Sequence, residues 1–323
     1  MSKTESVEMD FRDPAQHSLT QLRRYEARVQ SLGDIPAYDL LAATDQLVLH
    51  GSIHAPLALK KLRRLAGHSE AMVAHVRALE RVWGLVQRIP RFAELRGDAG
   101  LVEKLYETEG FVFLEGRAHR EKLIIVFTTI FNNFQVSNLV LYGLLHSYGV
   151  SVLFLKDTSY YHFLRGVKGL GNDLITTADG IERLARSNGI SDLFITGYSS
   201  GGYASLYMSY LIKCRRYLGF SLLSDLSEQS DIKSSQFFKQ ELRSEVSPEM
   251  LVDLRRIASD RVDGVPRRIY FGKRFPRDVS HALHLAGLND FELVGLPSGH
   301  ATIAHLMNEN RFEDCLRWLL FGE

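Results

Sequence analysis

The sequence predicts an α/β protein with a mostly parallel sheet, helices on both faces and one antiparallel edge strand, preceded by an all-helical segment. Three observations predict this class. After Tyr106, nearly continuous runs of apolar, β-branched and aromatic residues recur at strand length, as in strands that are covered on both faces. Helical stretches separate most of these runs, and that alternation is typical of a parallel sheet. Before Tyr106, the apolar residues recur only at helical spacing.

The predicted strands are Phe111–Leu114, Leu123–Thr129, Val150–Leu155, Leu193–Thr196, Leu218–Leu223, Arg268–Phe271 and Phe291–Leu296. Only the short segment GRAHRE links the first two strands, and a parallel crossover needs a dozen or more residues. The first strand is therefore expected to be an antiparallel edge. The predicted helices of this region are Val136–Leu145, Asp173–Arg186, Gly202–Lys213, Pro248–Ile257, Val279–Leu288 and Ala301–Leu320.

The predicted domain organisation has three parts. Residues 1–18 are expected to be a mobile tail, residues 19–105 a helical N-terminal domain, and residues 106–323 the α/β domain. Within the α/β domain, the polar stretch 226–262 is predicted to form a small cap.

Composition excludes several classes of function. The chain has 39 basic and 38 acidic residues, so its net charge of +1 lacks the basic footprint of a nucleic-acid-binding protein. No apolar run approaches the ~20 residues of a membrane span, and the first ten residues do not resemble a secretory signal. A soluble, cytoplasmic protein is therefore expected. Its two cysteines, Cys214 and Cys315, are too few for a disulfide framework or a four-ligand zinc site.

A glycine-framed serine carries the predicted chemistry. The residues between a predicted strand and a predicted helix are Gly197, Tyr198, Ser199, Ser200 and Gly201. They fit the G-x-S-x-G pattern of a nucleophile elbow in its strand–turn–helix context. Only very small residues two positions before and after the serine fit such a sharp bend. Ser199 meets this requirement and Ser200 does not, so Ser199 is the predicted nucleophile.

The serine needs a base and an acid from other loops of the same sheet edge, because a hydroxyl is a weak nucleophile until its proton is taken. His300 follows the last predicted strand, directly after Gly299, and is the predicted base. The acid that orients the imidazole is expected one strand earlier. Asp278, after the sixth predicted strand, is the predicted acid, and Asp225, after the fifth, is the alternative.

From about Phe111 to the C-terminus, the sequence resembles the α/β-hydrolase superfamily. The resemblance rests on the strand–helix alternation, the elbow, and the chain order Ser199, Asp278, His300. It implies a Ser-His-Asp triad, an acyl-enzyme and an oxyanion hole of backbone N–H groups, with no cofactor and no metal.

The resemblance places one oxyanion donor at Ser200 and the other in the loop after the second predicted strand. Many members of the superfamily carry a His-Gly pair at the end of that strand, whereas this chain has TTIFNN at 128–133. Thr129 and Ile130 are the expected donors. Losing one such donor costs about 10²–10³ in turnover, so this departure bears directly on activity.

The loop at residues 155–171 is expected to overhang the same sheet edge. Its Tyr160, Tyr161 and Arg165 are predicted to bind substrate, because aromatic faces and cations suit a sugar, an aryl group or an acyl chain with an anionic end. The alternative is a loop that merely covers the sheet.

These features predict a serine esterase that cleaves a small-molecule acyl or ester substrate, with carbohydrate-linked esters among the candidates. An acyltransferase using the same residues is one alternative. The other is a binding or assembly protein that keeps the fold with weak catalysis, and the helical N-terminal domain is then the expected site for a protein partner.

Overall fold

A computed structural model describes residues 77, 80, 83–129, 132–159, 161–232, 245–261 and 263–323. The chain divides into two units, Met1–Arg88 and Ile89–Glu323. In the first unit, residues 83–88 are helical. The predicted tail and most of the predicted helical domain lie outside the described residues, so that division of the N-terminal region stays a prediction.

The second unit is built on one sheet of seven strands in the order β1-β3-β2-β4-β5-β6-β7. The strands are β1 (Phe111–Leu114), β2 (His119–Phe127), β3 (Val150–Leu155), β4 (Asp192–Tyr198), β5 (Arg216–Phe220), β6 (Arg267–Gly272) and β7 (Phe291–Leu296). Edge strand β1 is antiparallel to β3, and all other neighbours are parallel. The predicted class, a mostly parallel sheet with one antiparallel edge strand, is confirmed.

Nine helices accompany the described part of this unit. They are α1 (Phe92–Gly97), α2 (Ala99–Glu107), α3 (Asn138–Ser147), α4 (Leu174–Ser187), α5 (Ser200–Leu211), α6 (Leu254–Asp260), α7 (Pro276–His284), α8 (Thr302–Asn308) and α9 (Phe312–Phe321). Among the described residues, no helix has both the length and the apolar character of a transmembrane span.

The last predicted helix, Ala301–Leu320, is two helices in the structure. Helix α8 stops before Asn310, whose φ of 56° lies in the left-handed region. Asparagine tolerates this conformation better than most residues, and one such residue after a helix ends it. Arg311 then donates its backbone N–H to Leu306 O at 2.8 Å, and α9 begins at Phe312.

The core lies around the central strands. Every residue of β3 is buried, and so are the last five residues of β2. Burying one large aliphatic or aromatic side chain contributes about 1.5–3 kcal/mol, so these strands fix the sheet. The carboxyl ends of the parallel strands then meet at one edge, and β2 ends at Phe127 directly beside Gly197 of β4. Loops from different parts of the chain therefore converge at that edge.

The predicted cap at 226–262 is described only in part. Its described residues include a 3-10 turn at Pro248–Met250 and helix α6. They pack on α5, where the Tyr203 hydroxyl accepts from Val252 N–H (2.9 Å) and lies 2.8 Å from Met250 O. That the stretch acts as a cap stays a prediction.

Candidate active site

Ser199 forms the bend between β4 and α5. Its φ of 51° and ψ of −114° are strained for a residue with a side chain, and such strain concentrates at functional sites. The two flanking glycines are needed for close packing. A Cβ on Gly197 would lie 2.0 Å from Ser205 Oγ, and one on Gly201 would lie 2.2 Å from Thr128 O. Neither position has room for a larger residue, as the elbow motif requires.

The structure brings Ser199, His300 and Asp278 together. Ser199 Oγ lies 2.8 Å from His300 Nε2, and His300 Nδ1 lies 2.8 Å from Asp278 Oδ1. The Asp278 side chain is 1% exposed, whereas that of His300 is 25% exposed. With its proton on Nδ1, the imidazole donates to the buried carboxylate and accepts from the serine hydroxyl. This arrangement can take the serine proton and stabilise the resulting imidazolium.

The His300 backbone is held from two neighbouring strands. Ser221, just after β5, donates its hydroxyl to His300 O at 2.9 Å, and the Tyr198 hydroxyl lies 3.4 Å from the same oxygen. The Ser221 backbone has a φ of 46°, in the left-handed region. The loop after β7 is thus fixed against the elbow although β5 and β6 separate their strands.

Gln135 ties the same region to the loop after β2. Its Nε2 donates to the Tyr198 hydroxyl at 2.8 Å, and its Oε1 accepts from the N–H groups of Ile303 (3.0 Å) and Ala304 (3.2 Å) at the start of α8. Gln135 and Ser221 were not predicted from the sequence, because both act through residues that are distant along the chain.

Asp278 lies in the first turn of α7 and is not its N-cap, which is Phe275. Its second oxygen accepts from Gly272 N–H at 3.4 Å. The alternative acid, Asp225, lies away from this chain of hydrogen bonds: its Oδ1 accepts from Ser227 N–H at 2.8 Å, and its backbone pairs with Asp253.

A second cluster of the same residue types surrounds Ser224. Its Oγ lies 3.1 Å from His281 Nδ1 and 2.9 Å from His284 Nδ1, and His284 Nε2 lies 3.4 Å from Asp253 Oδ1. Burial, helped by the positive charge of Arg277, lowers the pKa of His281 to about 4. These contacts join the loop after β5 to α6 and α7.

Part of this second cluster has donors suited to a cation. Ligand atoms of Asp225, Asp253 and His284 lie within 4.8 Å of one another. Asp253 is also the N-cap of α6, where its carboxylate accepts from backbone N–H groups. This capping role explains the position of the Asp253 carboxylate without a bound ion.

The predicted oxyanion donors differ in their surroundings. Ser200 is the first residue of α5, and the first N–H groups of a helix have no acceptor within it. The Thr129 N–H donates to Asn133 O at 2.8 Å, so in this structure it is directed into its own loop and not toward a substrate. Ile130 lies outside the described residues.

Two of the predicted substrate-binding residues, Tyr161 and Arg165, form a surface cluster with Glu245. Tyr161 donates its hydroxyl to Glu245 at 2.7 Å, Arg165 pairs with the same carboxylate at 3.4 Å, and the Arg165 guanidinium lies 4.7 Å from the Tyr161 ring centre. Tyr160 lies outside the described residues. The same loop brings His162 near the elbow, where burial lowers the pKa of this imidazole and the charge of Asp157 and a backbone hydrogen bond with Ser200 offset only part of that shift.

One residue beside the site has no counterpart in the sequence expectations. Arg277 Nη2 lies 3.5 Å from His300 Nε2, and its guanidinium lies 5.0 Å from the ring centre of Phe275. The Phe275 ring is in turn 5.1 Å from that of His300. The only signal in the sequence is that Arg277 directly precedes the predicted acid.

Comparison with known proteins finds similarity at the level of structure. No protein-family model and no curated protein matches the sequence. Among solved structures, 2,6-dihydroxy-pseudo-oxynicotine hydrolase matches with a TM-score of 0.51 and 14% identity, over 95% of this chain and 87% of that one. The capsule O-acetyltransferase of Neisseria meningitidis serogroup A matches with a TM-score of 0.44 and 16% identity, over 64% of this chain and 90% of that one.

A third match is an α/β-hydrolase enzyme from the metagenome of sediments from the lagoon of Mar Chica, Morocco. Its TM-score is 0.42 at 19% identity, over 65% of this chain and 94% of that one. The sheet order and the match to the first hydrolase establish that this chain has the α/β-hydrolase fold, as the sequence resemblance implied. The fold alone does not determine the activity, which depends on the side chains at the carboxyl edge of the sheet.

Proposed function

We propose that the protein is a serine hydrolase that cleaves a carboxylic ester through an acyl-enzyme. One observation carries the proposal: the continuous chain of hydrogen bonds from Ser199 Oγ through His300 to the buried Asp278. A half-exposed histidine between a strained serine and a buried carboxylate is the arrangement that serine nucleophiles require.

In the first half-reaction, Ser199 Oγ attacks the ester carbonyl carbon as His300 Nε2 takes the hydroxyl proton. Asp278 holds the imidazole in orientation and stabilises its positive charge. The tetrahedral intermediate collapses, the carbon–oxygen bond to the leaving alcohol breaks, and His300 returns its proton to that alcohol. The acyl group is now esterified to Ser199.

In the second half-reaction, water attacks the acyl-enzyme with His300 again as base, which releases the acid and restores the serine. An alcohol in place of water would make the same protein an acyltransferase. The Ser200 N–H, at the positive end of the α5 dipole, is the proposed donor to the oxyanion in both halves.

The proposal is tested by the hydrolysis of 4-nitrophenyl acetate. His300→Ala is expected to lower kcat/KM by about 10⁴-fold or more, because the serine loses its base. His305→Ala is the matched control: His305 lies on α8, with its Nε2 3.0 Å from Glu309, and its loss is expected to leave turnover near the wild-type value. Equal activity of His300→Ala and the wild type, with both folded, would refute the base and with it the proposed mechanism.

A further inference from the structure

Arg277 places a positive charge beside the atoms proposed to react. Its Nη2 and the Ser199 hydroxyl both lie next to His300 Nε2, at 3.5 and 2.8 Å. A group bound to the guanidinium would therefore lie within a few bond lengths of the serine oxygen. The Arg277 side chain is half-buried, and it begins on the first turn of α7, one residue before the acid.

No carboxylate neutralises this guanidinium within the described part of the chain. Among those residues, Arg277 forms no ion pair, and its buried Nε has no hydrogen-bond acceptor. Asp278 is adjacent in sequence, but its two oxygens face His300 Nδ1 and Gly272 N–H. Buried polar groups are nearly always hydrogen-bonded, so a donor left without an acceptor at this position needs an explanation.

Two other cations near this edge of the sheet, both in the loop after β3, are paired. Arg165 pairs with Glu245, and Lys168 pairs with Glu109 at 2.5 Å. Both cations are largely exposed, so these pairs are surface features. Arg277 differs from them in burial, in its lack of a described acidic partner and in its distance from the proposed triad.

The positive charge of Arg277 does not help the proposed triad itself. His300 becomes positively charged when it takes the serine proton, and a guanidinium 3.5 Å from its Nε2 opposes that charge. The position is favourable only when something negative lies between or beside the two. An anionic group on the substrate would supply that charge and would fill the planar donor fork of the arginine.

We propose that Arg277 is the anion-binding residue of this site and that the natural ester carries a negatively charged group, such as a carboxylate, close to its scissile bond. This inference rests on the proposed hydrolase function. The anion belongs either to the acyl group or to the leaving alcohol, and the same arginine chemistry serves both.

Two matched pairs of esters test the inference and identify whether the anion belongs to the acyl group or to the leaving alcohol. Mono-4-nitrophenyl glutarate carries a carboxylate on its acyl group, and methyl 4-nitrophenyl glutarate is its uncharged counterpart. 4-Carboxyphenyl acetate carries the carboxylate on the alcohol, and 4-(methoxycarbonyl)phenyl acetate is its uncharged counterpart. The quantity compared is the ratio of kcat/KM for the charged ester to kcat/KM for the uncharged one.

The wild type is expected to favour the charged member of at least one pair. In Arg277→Gln, the ratio for that pair is expected to fall about 10–100-fold, the usual effect of losing a charge-assisted hydrogen bond. Arg277→Lys is expected to recover part of the ratio, since it restores the charge without the fork. Arg274→Gln is the control: this exposed arginine lies on the loop that precedes α7, and its loss is expected to leave the ratio at the wild-type value.

A ratio that is the same in wild type and Arg277→Gln for both pairs would overturn the inference. An equal loss with charged and uncharged esters would do so too, because it would mean that Arg277 only positions His300. Labelling of Ser199 by a fluorophosphonate separates this failure from that of the proposed function. Labelled Ser199 with an unchanged ratio rejects the anion site alone, whereas unlabelled Ser199 without turnover of any ester rejects both.

Discussion

Within the residues that the structure describes, two clusters that each contain a serine, a histidine and an aspartate differ in the backbone that presents the serine. Ser199 stands on a strained bend at the start of α5, and its histidine is 25% exposed. Ser224 is fully buried in the loop after β5, and its hydroxyl is shared between His281 and His284. The same three residue types thus occur in the partly exposed cluster proposed to be catalytic and in a buried cluster.

The comparison shows that residue types and hydrogen-bond distances do not by themselves make a triad. The nucleophile must be accessible, the base must present one nitrogen to it and the other to a carboxylate, and an oxyanion needs donors nearby. In the Ser199 cluster, the serine is partly exposed and the histidine lies between it and a carboxylate. The N-terminus of α5 supplies backbone N–H groups nearby. In the Ser224 cluster, Nδ1 of both histidines is turned toward the buried serine, and His284 Nε2 lies 3.4 Å from Asp253 Oδ1.

The largest expected difference between the clusters is in the two serine variants. Ser199→Ala is expected to lower ester kcat by about 10⁴–10⁶-fold, because no acyl-enzyme can form. Ser224→Ala is expected to keep turnover near the wild-type value and to lower the free energy of unfolding by about 1–3 kcal/mol, since buried partners lose a hydrogen bond. Steady-state kinetics and urea unfolding measure the two effects. Loss of turnover in Ser224→Ala alone would reverse the assignment.

The next difference is between the two aspartates. Asp278→Asn is expected to lower kcat by about 10³–10⁴-fold, because an amide favours the wrong imidazole tautomer. Asp225→Asn retains an oxygen that can accept from Ser227 N–H and is expected to stay near the wild-type rate. Parallel kinetics of the two variants decide between them. If Asp225→Asn has the larger defect, Asp278 is not the acid.

The smallest expected effect is on stability and concerns His281. Burial lowers the pKa of this side chain to about 4 in the folded protein, against about 6.5 when unfolded. Between these values the unfolded chain binds more protons, so stability is lost as the pH falls from 6.5 toward 4. The loss reaches about 3 kcal/mol at most, because one pKa unit corresponds to ~1.4 kcal/mol.

Urea unfolding of wild type and His281→Asn between pH 4.5 and 7.5 measures this contribution. The asparagine can still accept from Ser224 N–H but does not titrate, so the variant's stability is expected to depend less steeply on pH. Parallel pH dependences in the two proteins would show that His281 is not the buried neutral group described above.

The sheet was predictable from the sequence because strands that are buried on both faces require nearly continuous runs of apolar residues, and such runs can be recognised in the sequence. The elbow was predictable because its sterics are local: two glycines and a serine within five residues. The break at Asn310 was missed because residues 308–311 carry neither glycine nor proline, and a single residue in the left-handed conformation decides where α8 ends.

The surroundings of the proposed triad could not be predicted in the same way. Gln135 reaches residues 168 and 169 positions further along the chain, so its role exists only in the folded protein. The predicted cation, Arg165, has a carboxylate partner supplied by a distant residue, while Arg277 lies beside His300. Loop cations can be recognised in a sequence, but their partners depend on tertiary packing.

The most direct test of the central claim is to map the residue modified by a fluorophosphonate. Such probes react with a serine whose hydroxyl is activated by a neighbouring base. After digestion, mass spectrometry is expected to find the adduct on Ser199, with labelling lost in both Ser199→Ala and His300→Ala. An intact, folded protein that shows no adduct at Ser199, or equal labelling in His300→Ala, would contradict the account.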